Sequence, residues 1–350
     1  METSRIERAA EICGVRRLDA TSKHATQAEI LSNKLSYFFR SEIGLSKFST
    51  AFAMSWVKEN AGEESCQRVM SYILDRVNGR RSRCRDAWQR GCPQIIPGLR
   101  ASKFWDPDQF SWIKDLRKSF PKIREEVMSL RDSGKQKEKS GFQPYRAPSS
   151  SSSQETSSNT NESIRGSAAH DSGEWNIYYL YLHNMDFTTN RDRLPETVKV
   201  LKNIPRFYDH AMLSNLSPNT HVTKHHGPTN KKLRIHLPLY VPSKTDSCRL
   251  RVGDETRSSK EGHVVVFDDS FEHEAWNDSN EKSRVVLIFD IWHPDLSDRE
   301  IKFLSFIQKA QLRAERKRVQ YIAKDDDTNL FSIIESNRSI RPDQSVLWSM

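Results

Sequence analysis

The sequence predicts an α+β protein with a β-sandwich or β-barrel at its centre. Between Trp175 and Trp292, short segments rich in β-branched and aromatic residues alternate with turn residues, which is typical of a sheet built from many short strands. Helical spacing of apolar residues precedes this part, from Thr26 to about Arg76, and resumes after Pro294. Because the helices flank the strands instead of alternating with them, a βαβ sheet is disfavoured.

Length and composition describe a globular protein. A chain of 350 residues, 36% hydrophobic and 29% charged, can bury a substantial core in one large domain or two smaller ones. No stretch has the roughly 20 consecutive apolar residues that a membrane helix needs. The first residues carry acids and no apolar core, unlike a secretory signal. We therefore expect a cytoplasmic protein without a membrane span.

The cysteines indicate neither disulfides nor a zinc knot. They are five, an odd number, widely spread and without a CxxC pair: Cys13, Cys66, Cys84, Cys92 and Cys248. A disulfide framework or a structural zinc site needs closely spaced pairs. Reduced thiols are the expected state.

The net charge of +9 is unevenly distributed. Residues 1–146 hold 28 Lys and Arg against 18 Asp and Glu, so the excess of positive charge lies in this part. Its densest run is Arg80, Arg81, Arg83 and Arg85. No interleaved aromatic residues or nucleic-acid motif accompany the run. We interpret it as a solvated surface and expect no nucleic-acid partner.

Three regions follow from these patterns. Residues 1–96 form a helical N-terminal region, 97–298 a central domain, and 299–350 a C-terminal helical tail. In the central domain, Asp108 is expected to cap a helix that Pro121 interrupts or restarts. The Ser-rich insert at about 149–173 has almost nothing apolar to bury, so it is expected to be disordered.

The strands of the central domain are expected between turn residues. They cover 175–185, 211–216, 221–225, 233–241, 248–252, 263–267 and 284–292. Side chains alternate between the two faces of a strand, so in LRIHLPL the four apolar residues point one way while Arg234 and His236 point the other. An arginine buried on that inner face without a partner would be costly, and an anionic ligand would offset the cost.

Arg284 and two histidines complete the candidate site. Arg284 begins the strand RVVLIFDIW, where its guanidinium is suited to hold a carboxylate through two parallel hydrogen bonds. His225 lies in a loop with glycine and proline, and His273 follows the turn FDDSFE. Imidazole suits iron, zinc, copper and nickel alike, so the residues alone leave the metal open.

Three long motifs carry a resemblance to a known family. They are THV followed by HHGPTNKKLRIHLPL, RLRVGDETR followed by EGHVVVFDDSFEHEAWND, and LIFDIWHPDLS. With them, the run from Ser214 to Pro294 closely resembles the aspartyl/asparaginyl β-hydroxylases, which are non-haem iron(II), 2-oxoglutarate-dependent oxygenases. Looser similarity covers roughly Pro97 to Ser297 outside the Ser-rich insert. The resemblance identifies the central domain as an oxygenase domain.

The resemblance implies a double-stranded β-helix, the jelly-roll or cupin-like barrel of these oxygenases. His225 and His273 match the metal ligands. The residues matching the 2-oxoglutarate site are Ser214, Arg234, His236 and Arg284. Of these, Arg284 and Ser214 match the residues at the distal carboxylate, and the other two match those near the C1 carboxylate. The implied cofactors are Fe(II), 2-oxoglutarate and O2.

Four further residues belong to the candidate site, and three of them have two interpretations each. Gly227 stands where related oxygenases have a carboxylate ligand, and the β-hydroxylases likewise have glycine there, so water would fill the position. Asp269 is a candidate outer carboxylate that takes part in catalysis by orienting a ligand or that water, or else a turn-capping residue. Lys232 matches a residue that contacts the substrate, or else is an exposed lysine. His226 could replace His225 after a one-residue slip.

The implied reaction is hydroxylation of a C–H bond, coupled to conversion of 2-oxoglutarate to succinate and CO2. The expected substrate is the β-carbon of Asp or Asn residues in a protein or peptide. Alternatives are a small molecule, a lipid acyl chain, a β-barrel binding module without turnover, and a cupin-like isomerase or zinc enzyme.

Overall fold

The computed structural model describes residues 26–80, 84, 86–134, 142–145, 168–183, 185–242 and 246–322. The chain divides into two compact units. Of the described residues, the first contains 26–80, 84, 94–100 and 294–322, and the second contains 86–93 and those between 101 and 293. The described α-helices are α1 (Gln27–Tyr37), α2 (Lys47–Asn60), α3 (Gln67–Val77), α4 (Ile113–Gly134), α5 (Thr188–Asp192), α6 (Pro195–Lys202) and α7 (Asp298–Ile322).

The first unit is helical. Helix α1 begins with a capping box in which Thr26 and Glu29 each bond to the other's backbone N–H. Helix α7 packs with the N-terminal helices, because Trp56 of α2 stacks on Phe303 of α7 with ring centroids 3.8 Å apart. Helices α2 and α7, which are far apart in sequence, therefore share one core.

The second unit is built from two antiparallel sheets. The strands are β1 (Phe104–Trp105), β2 (Gln143–Pro144), β3 (His170–Ser172), β4 (Trp175–Leu182), β5 (Phe207–Leu216), β6 (Thr220–His225), β7 (Lys232–Tyr240), β8 (Cys248–Val252), β9 (Glu255–Ser258), β10 (Val265–Phe267), β11 (His273–Asn277) and β12 (Arg284–Trp292). Seven strands pair in the order β1-β10-β7-β12-β5-β4-β2 and five in the order β3-β6-β11-β8-β9. This is a double-stranded β-helix, as predicted, in an α+β protein.

Strand alternation separates the core from the interior of the barrel. The outward residues of β7 and β12 belong to one apolar cluster: Leu233, Ile235, Leu237, Leu239, Val285, Leu287, Phe289 and Ile291. All are at most 3% exposed. The opposite face carries the polar residues of both strands, so the predicted period of two is confirmed.

Helix α4 covers this apolar face and runs through Pro121 without a break. The expected interruption is therefore wrong. Proline removes one backbone hydrogen bond and crowds the preceding turn. Five buried residues on one side of the helix, Ile113, Leu116, Ile123, Val127 and Leu130, pack in the same core cluster. Burial of five aliphatic side chains, each contributing about 1.5–3 kcal/mol, outweighs the proline penalty of about 3 kcal/mol.

Only the end of the predicted Ser-rich insert, residues 168–173, lies within the described residues. Residues 149–167 lie outside the described residues, but His170–Ser172 form strand β3, which pairs with β6. Among the described helices, none is long and apolar enough to cross a membrane.

Candidate active site

Two histidines lie opposite each other where β6 and β11 pair. His225 ends β6, His273 begins β11, and the two residues are Cα partners. Their ring centroids are 4.0 Å apart, and the residues are 8% and 4% exposed. The imidazole of His226 instead places Nε2 3.1 Å from the carbonyl oxygen of Trp88. The pair that can share one metal ion is therefore His225 and His273.

Both rings of this pair are held in the same tautomer. Nδ1 of His225 lies 2.7 Å from the carbonyl oxygen of Thr223, and Nδ1 of His273 lies 2.8 Å from that of Phe271. A carbonyl only accepts, so Nδ1 of the neutral ring carries the proton and Nε2 keeps its lone pair. Burial and the neighbouring His225 hold the pKa of His273 well below its usual value, which favours the neutral form that binds metals.

The structure explains the glycine at position 227. A Cβ at Gly227 would lie 2.5 Å from Cγ and Oδ2 of Asp269 and 2.6 Å from its Oδ1. The carboxylate of Asp269 therefore occupies the space that a side chain at position 227 would need. Among the described residues, no third His, Cys, Asp or Glu joins the histidine pair to form a metal-binding group.

Asp269 fits an outer role beside such a metal. Its carboxylate is fully buried, and Oδ1 has no hydrogen-bond partner in the described part of the chain. A buried acceptor without a donor is costly, and a metal-bound water would supply the donor. The turn is capped by Asp268, whose Oδ1 accepts from Ser270 N at 3.0 Å. Two buried imidazoles and an outer carboxylate suit a metal ion such as iron(II).

Gly227→Ala is expected to disturb this arrangement. The added methyl group would push on a carboxylate that Lys232 holds at 2.6 Å, so either the ion pair or the loop must shift. We expect a loss of about 1–3 kcal/mol in unfolding free energy, as for other overpacked sites, together with weaker binding of Co(II). Thermal unfolding and metal titration measure both effects.

The control for this change is the same substitution in an Asp269→Gly background. There the clashing carboxylate is absent, so adding the methyl group should cost much less than in the wild-type protein. An equal cost in both backgrounds would contradict the close approach as its cause.

Two cations and two carboxylates balance one another next to the histidines. Lys232 is 2% exposed, and its Nζ lies 2.6 Å from Asp269 and 3.1 Å from Asp290. Arg234 contacts Asp290 through Nε at 2.9 Å and Nη2 at 3.0 Å, and its Nη1 lies 3.2 Å from Asp269. The alternative interpretation of Lys232 as an exposed lysine is therefore wrong. Arg234 has carboxylate partners within the protein, so the cost of burying it is offset without a ligand.

Asp290 is the carboxylate that binds Arg234 through two hydrogen bonds. Although burial opposes it, Arg234 and Lys232 hold the pKa of Asp290 well below its usual value, so this carboxylate is ionised. The two buried cations thus have partners within the protein. Their charge is not available to bind an anion without rearrangement.

Arg284 differs from these cations. It is 3% exposed, and burial lowers its pKa. Among the residues that the structure describes, Arg284 makes no ion pair, and its Nε has no hydrogen-bond partner. A buried guanidinium in this state is costly, and a bound carboxylate would offset the cost. Arg284 is therefore the candidate anion-binding residue of the interior.

Ser214 shares the interior face with Arg284. In the pairing of β5 with β12, Arg284 lies opposite Leu216, and Val286 lies opposite Ser214. Directly opposed side chains point to the same face. The hydroxyl of Ser214 accepts a hydrogen bond from Trp175 Nε1 at 3.0 Å, which leaves its own proton to donate to a ligand.

His236 connects the anion-binding residue to the histidine pair. Burial and the charges of Arg284 and Arg234 hold the pKa of His236 well below its usual value, so the ring is neutral. Arg234 and His236 also lower the pKa of His273. The ring of Phe267 contacts both histidines, with its centroid 4.9 Å from that of His236 and 5.5 Å from that of His273.

A comparison with known families identifies this interior. The model of the aspartyl/asparaginyl β-hydroxylase family matches residues 117–294, about half of the chain and the part that contains every site residue described above. The chain belongs to the aspartyl/asparaginyl β-hydroxylase family. The predicted resemblance is therefore confirmed.

Three relatives illustrate the range of the family. The human aspartyl/asparaginyl β-hydroxylase is 30% identical over 254 residues, which cover 70% of this chain and 30% of that protein. The aspartate β-hydroxylase domain-containing protein 2 of Xenopus tropicalis is 37% identical over 143 residues, 39% of this chain and 38% of that protein. The ornithine lipid ester-linked acyl 2-hydroxylase of Rhizobium tropici is 30% identical over 208 residues, 59% of this chain and 66% of that protein. The chain thus spans about a third of the length of the two animal relatives.

In this β-hydroxylase family member, sequence reasoning missed two contributors to the site. Alternation along β12 placed Asp290 on the interior face, but only the pairing of β12 with β7 sets it opposite Arg234. Trp175 was expected in a strand, and nothing in its spacing indicates a hydrogen bond to Ser214. Strand β11, which positions His273, was also missed, because HEAWN is short and follows directly on a turn.

Proposed function

We propose that this protein is an Fe(II)- and 2-oxoglutarate-dependent dioxygenase that hydroxylates a C–H bond. One observation carries the proposal: a buried arginine without an internal carboxylate, Arg284, faces the interior of the barrel that also contains two buried histidines with adjacent rings. A dicarboxylate that also binds a metal matches both ends of such an interior. Imidazoles alone would equally suit a zinc site.

Each residue of the interior has a role in this proposal. His225 and His273 would hold the iron, and Arg284 with Ser214 would hold the distal carboxylate of 2-oxoglutarate. The bound iron and 2-oxoglutarate supply the oxygen-dependent oxidation that hydroxylates the substrate and releases succinate and CO2. The chain supplies geometry, fixed tautomers and a shielded interior.

The remaining charges would orient the other end of the cosubstrate. His236 is a neutral donor close to both arginines, and Arg234 keeps one edge near Asp269 while Asp290 neutralises it. Asp269 would accept a hydrogen bond from water on the iron through Oδ1. Lys232 would contact substrate only after giving up a carboxylate partner, so its first role in this geometry is to hold Asp269 in place.

The proposed substrate is the β-carbon of an Asp or Asn residue in a protein or peptide. The family and the name of the human relative support this choice. A lipid acyl chain is the second candidate, since the Rhizobium tropici relative is named as an acyl hydroxylase and matches 59% of this chain.

Incubation with Fe(II), ascorbate and 2-oxoglutarate tests the proposal. We expect succinate, together with products one oxygen atom heavier among Asp- and Asn-containing peptides. Heavier products among lipids alone would select the second candidate. Absence of succinate with every substrate would favour a binding module, and zinc as the only metal of anaerobically purified protein would favour a zinc enzyme.

A further inference from the structure

Lys231 is a second buried lysine, next to Lys232 but in different surroundings. It is 8% exposed. Its backbone N–H donates to Thr229 Oγ1 at 3.3 Å, and its carbonyl accepts from His293 N at 2.9 Å. The main chain is thus held on both sides, which fixes the origin of the side chain.

The side chain of Lys231 ends between aromatic rings. Its Nζ lies 5.9 Å from the ring centroids of both Tyr208 and Trp292. These two rings meet nearly edge-on, with centroids 4.7 Å apart, and are 5% and 7% exposed. His183 adds a third ring against Tyr208 at 5.4 Å. The ammonium therefore lies in a chamber with aromatic walls.

No carboxylate of the described residues forms an ion pair with Lys231. The nearby carboxylates Asp269 and Asp290 are bound by Lys232 instead. Burial, with a smaller effect of Lys232, lowers the pKa of Lys231 to about 8. Aromatic faces at this distance offset only part of the cost of burying an ammonium. The chamber therefore provides a cation that still requires an anion.

We propose that Lys231, with Tyr208 and Trp292 as walls, is a subsite that binds a carboxylate of the substrate beside the reaction centre. This inference rests on the proposed hydroxylation of peptides. It predicts that the preferred substrate carries an acidic side chain in addition to the residue that is hydroxylated.

The position of Lys231 and its single ammonium group support a substrate carboxylate as the ligand. Trp292, one wall of the chamber, lies opposite Lys232 in the pairing of β12 with β7. Lys232 contacts Asp269, whose carboxylate lies against Gly227 in the loop of His225, so a series of contacts links the chamber to that loop. The subsite has one ammonium, because the charge of Lys232 is already neutralised by Asp269 and Asp290. A single ammonium suits a monoanionic carboxylate better than a dianionic phosphate, which is commonly bound by several donors.

Paired peptides test the subsite. Peptides that contain one Asp are synthesised with Glu or Gln at each flanking position in turn, and kcat/KM for hydroxylation is measured for each pair. We expect wild-type protein to prefer Glu at one position by about tenfold or more, which is about 1.4 kcal/mol. Lys231→Met should bring the Glu/Gln ratio close to one, and Lys231→Arg should retain a preference.

Lys122→Met is the matched control, because Lys122 is an exposed lysine on α4 of the same unit. Its ratio should equal that of the wild type. A Glu/Gln ratio that is unchanged in Lys231→Met would overturn the subsite. If the proposed function fails instead, no variant forms succinate or hydroxylated peptide, so the two failures are distinguishable.

A second measurement does not require turnover. Competitive acetylation of wild-type protein across pH reports the pKa of Lys231 with the Glu peptide, with the Gln peptide and without peptide. The Glu peptide should raise this pKa and the Gln peptide should not, because a nearby anion favours the charged amine. An equal pKa in all three samples would also overturn the subsite.

The preference for the Glu peptide over the Gln peptide should change with pH in a definite direction. The charged group that acts on the amine is Lys232. The amine in turn acts on His183, which His210 and Asp290 also influence, and these two contact each other at 3.1 Å. Lys231 is charged below about pH 8 and neutral above it. The Glu/Gln ratio should therefore fall as the pH rises above about 8.

Discussion

Replacing His273 with alanine is expected to abolish succinate formation and to weaken metal binding by about 100-fold or more. His225 and His273 are Cα partners whose ring centroids lie 4.0 Å apart, closer than the 6.1 Å between the rings of His183 and His210. Because no third His, Cys, Asp or Glu of the described residues joins them, the loss of one imidazole leaves a single protein ligand. Changes around metal ligands already cost 10–100-fold, so loss of a ligand costs at least as much.

Two measurements check this expectation. Succinate is quantified with saturating Fe(II) and 2-oxoglutarate, and binding of Co(II) is titrated separately, in the same buffer without Fe(II). His273→Gln, which keeps most of the side-chain volume, serves as a second variant if the alanine protein is unstable. His263→Ala is the matched control, since His263 is an exposed histidine before β10. Wild-type turnover by both His273 variants would refute the assigned metal site.

Replacing Arg284 with methionine is expected to raise the Kd for 2-oxoglutarate by about 100-fold or more. Methionine keeps the aliphatic stem but removes the guanidinium. Each hydrogen bond to a charged group contributes about 1.5–3 kcal/mol, and a carboxylate held by two such bonds loses both. Because Ser214 remains, weak binding should persist.

Without ligand, Arg284→Met is expected to leave the stability of the fold unchanged or to raise it, although it weakens 2-oxoglutarate binding. In the wild type, Arg284 is buried with no ion pair among the described residues, so its removal relieves an uncompensated charge. We expect unliganded Arg284→Met to unfold at the same or a higher temperature than the wild type. Added 2-oxoglutarate, which stabilises the wild type through binding, should stabilise the variant much less.

Arg117→Met provides the control for Arg284→Met. Arg117 is 41% exposed and pairs with Asp108 at the surface, where an ion pair contributes about 0–1 kcal/mol. This control should bind 2-oxoglutarate like the wild type. A marked loss of stability in unliganded Arg284→Met, combined with unchanged 2-oxoglutarate binding, would mean that Arg284 serves the fold and not the ligand.

Much of the site could be predicted from short-range patterns. Alternation along β7 and β12 depends only on strand geometry, so it correctly divided the apolar residues from Arg234, His236 and Arg284. The motifs around His225 and His273 identified the family, which a comparison with known proteins then confirmed. Pro121 was misjudged, because the local cost of proline is evident in sequence while burial of the helix against the sheet is not.

The sequence by itself determined which residues face the interior of the barrel and which family the chain belongs to, because both follow from local spacing and from motifs. Only the tertiary structure decided how the buried charges are distributed. Lys232 and Arg234 are neutralised by Asp269 and Asp290, which lie between 35 and 58 residues away in sequence. Arg284 and Lys231 are left without carboxylate partners in the described residues. Which cation remains for a ligand depends on strand register, which no local pattern specifies.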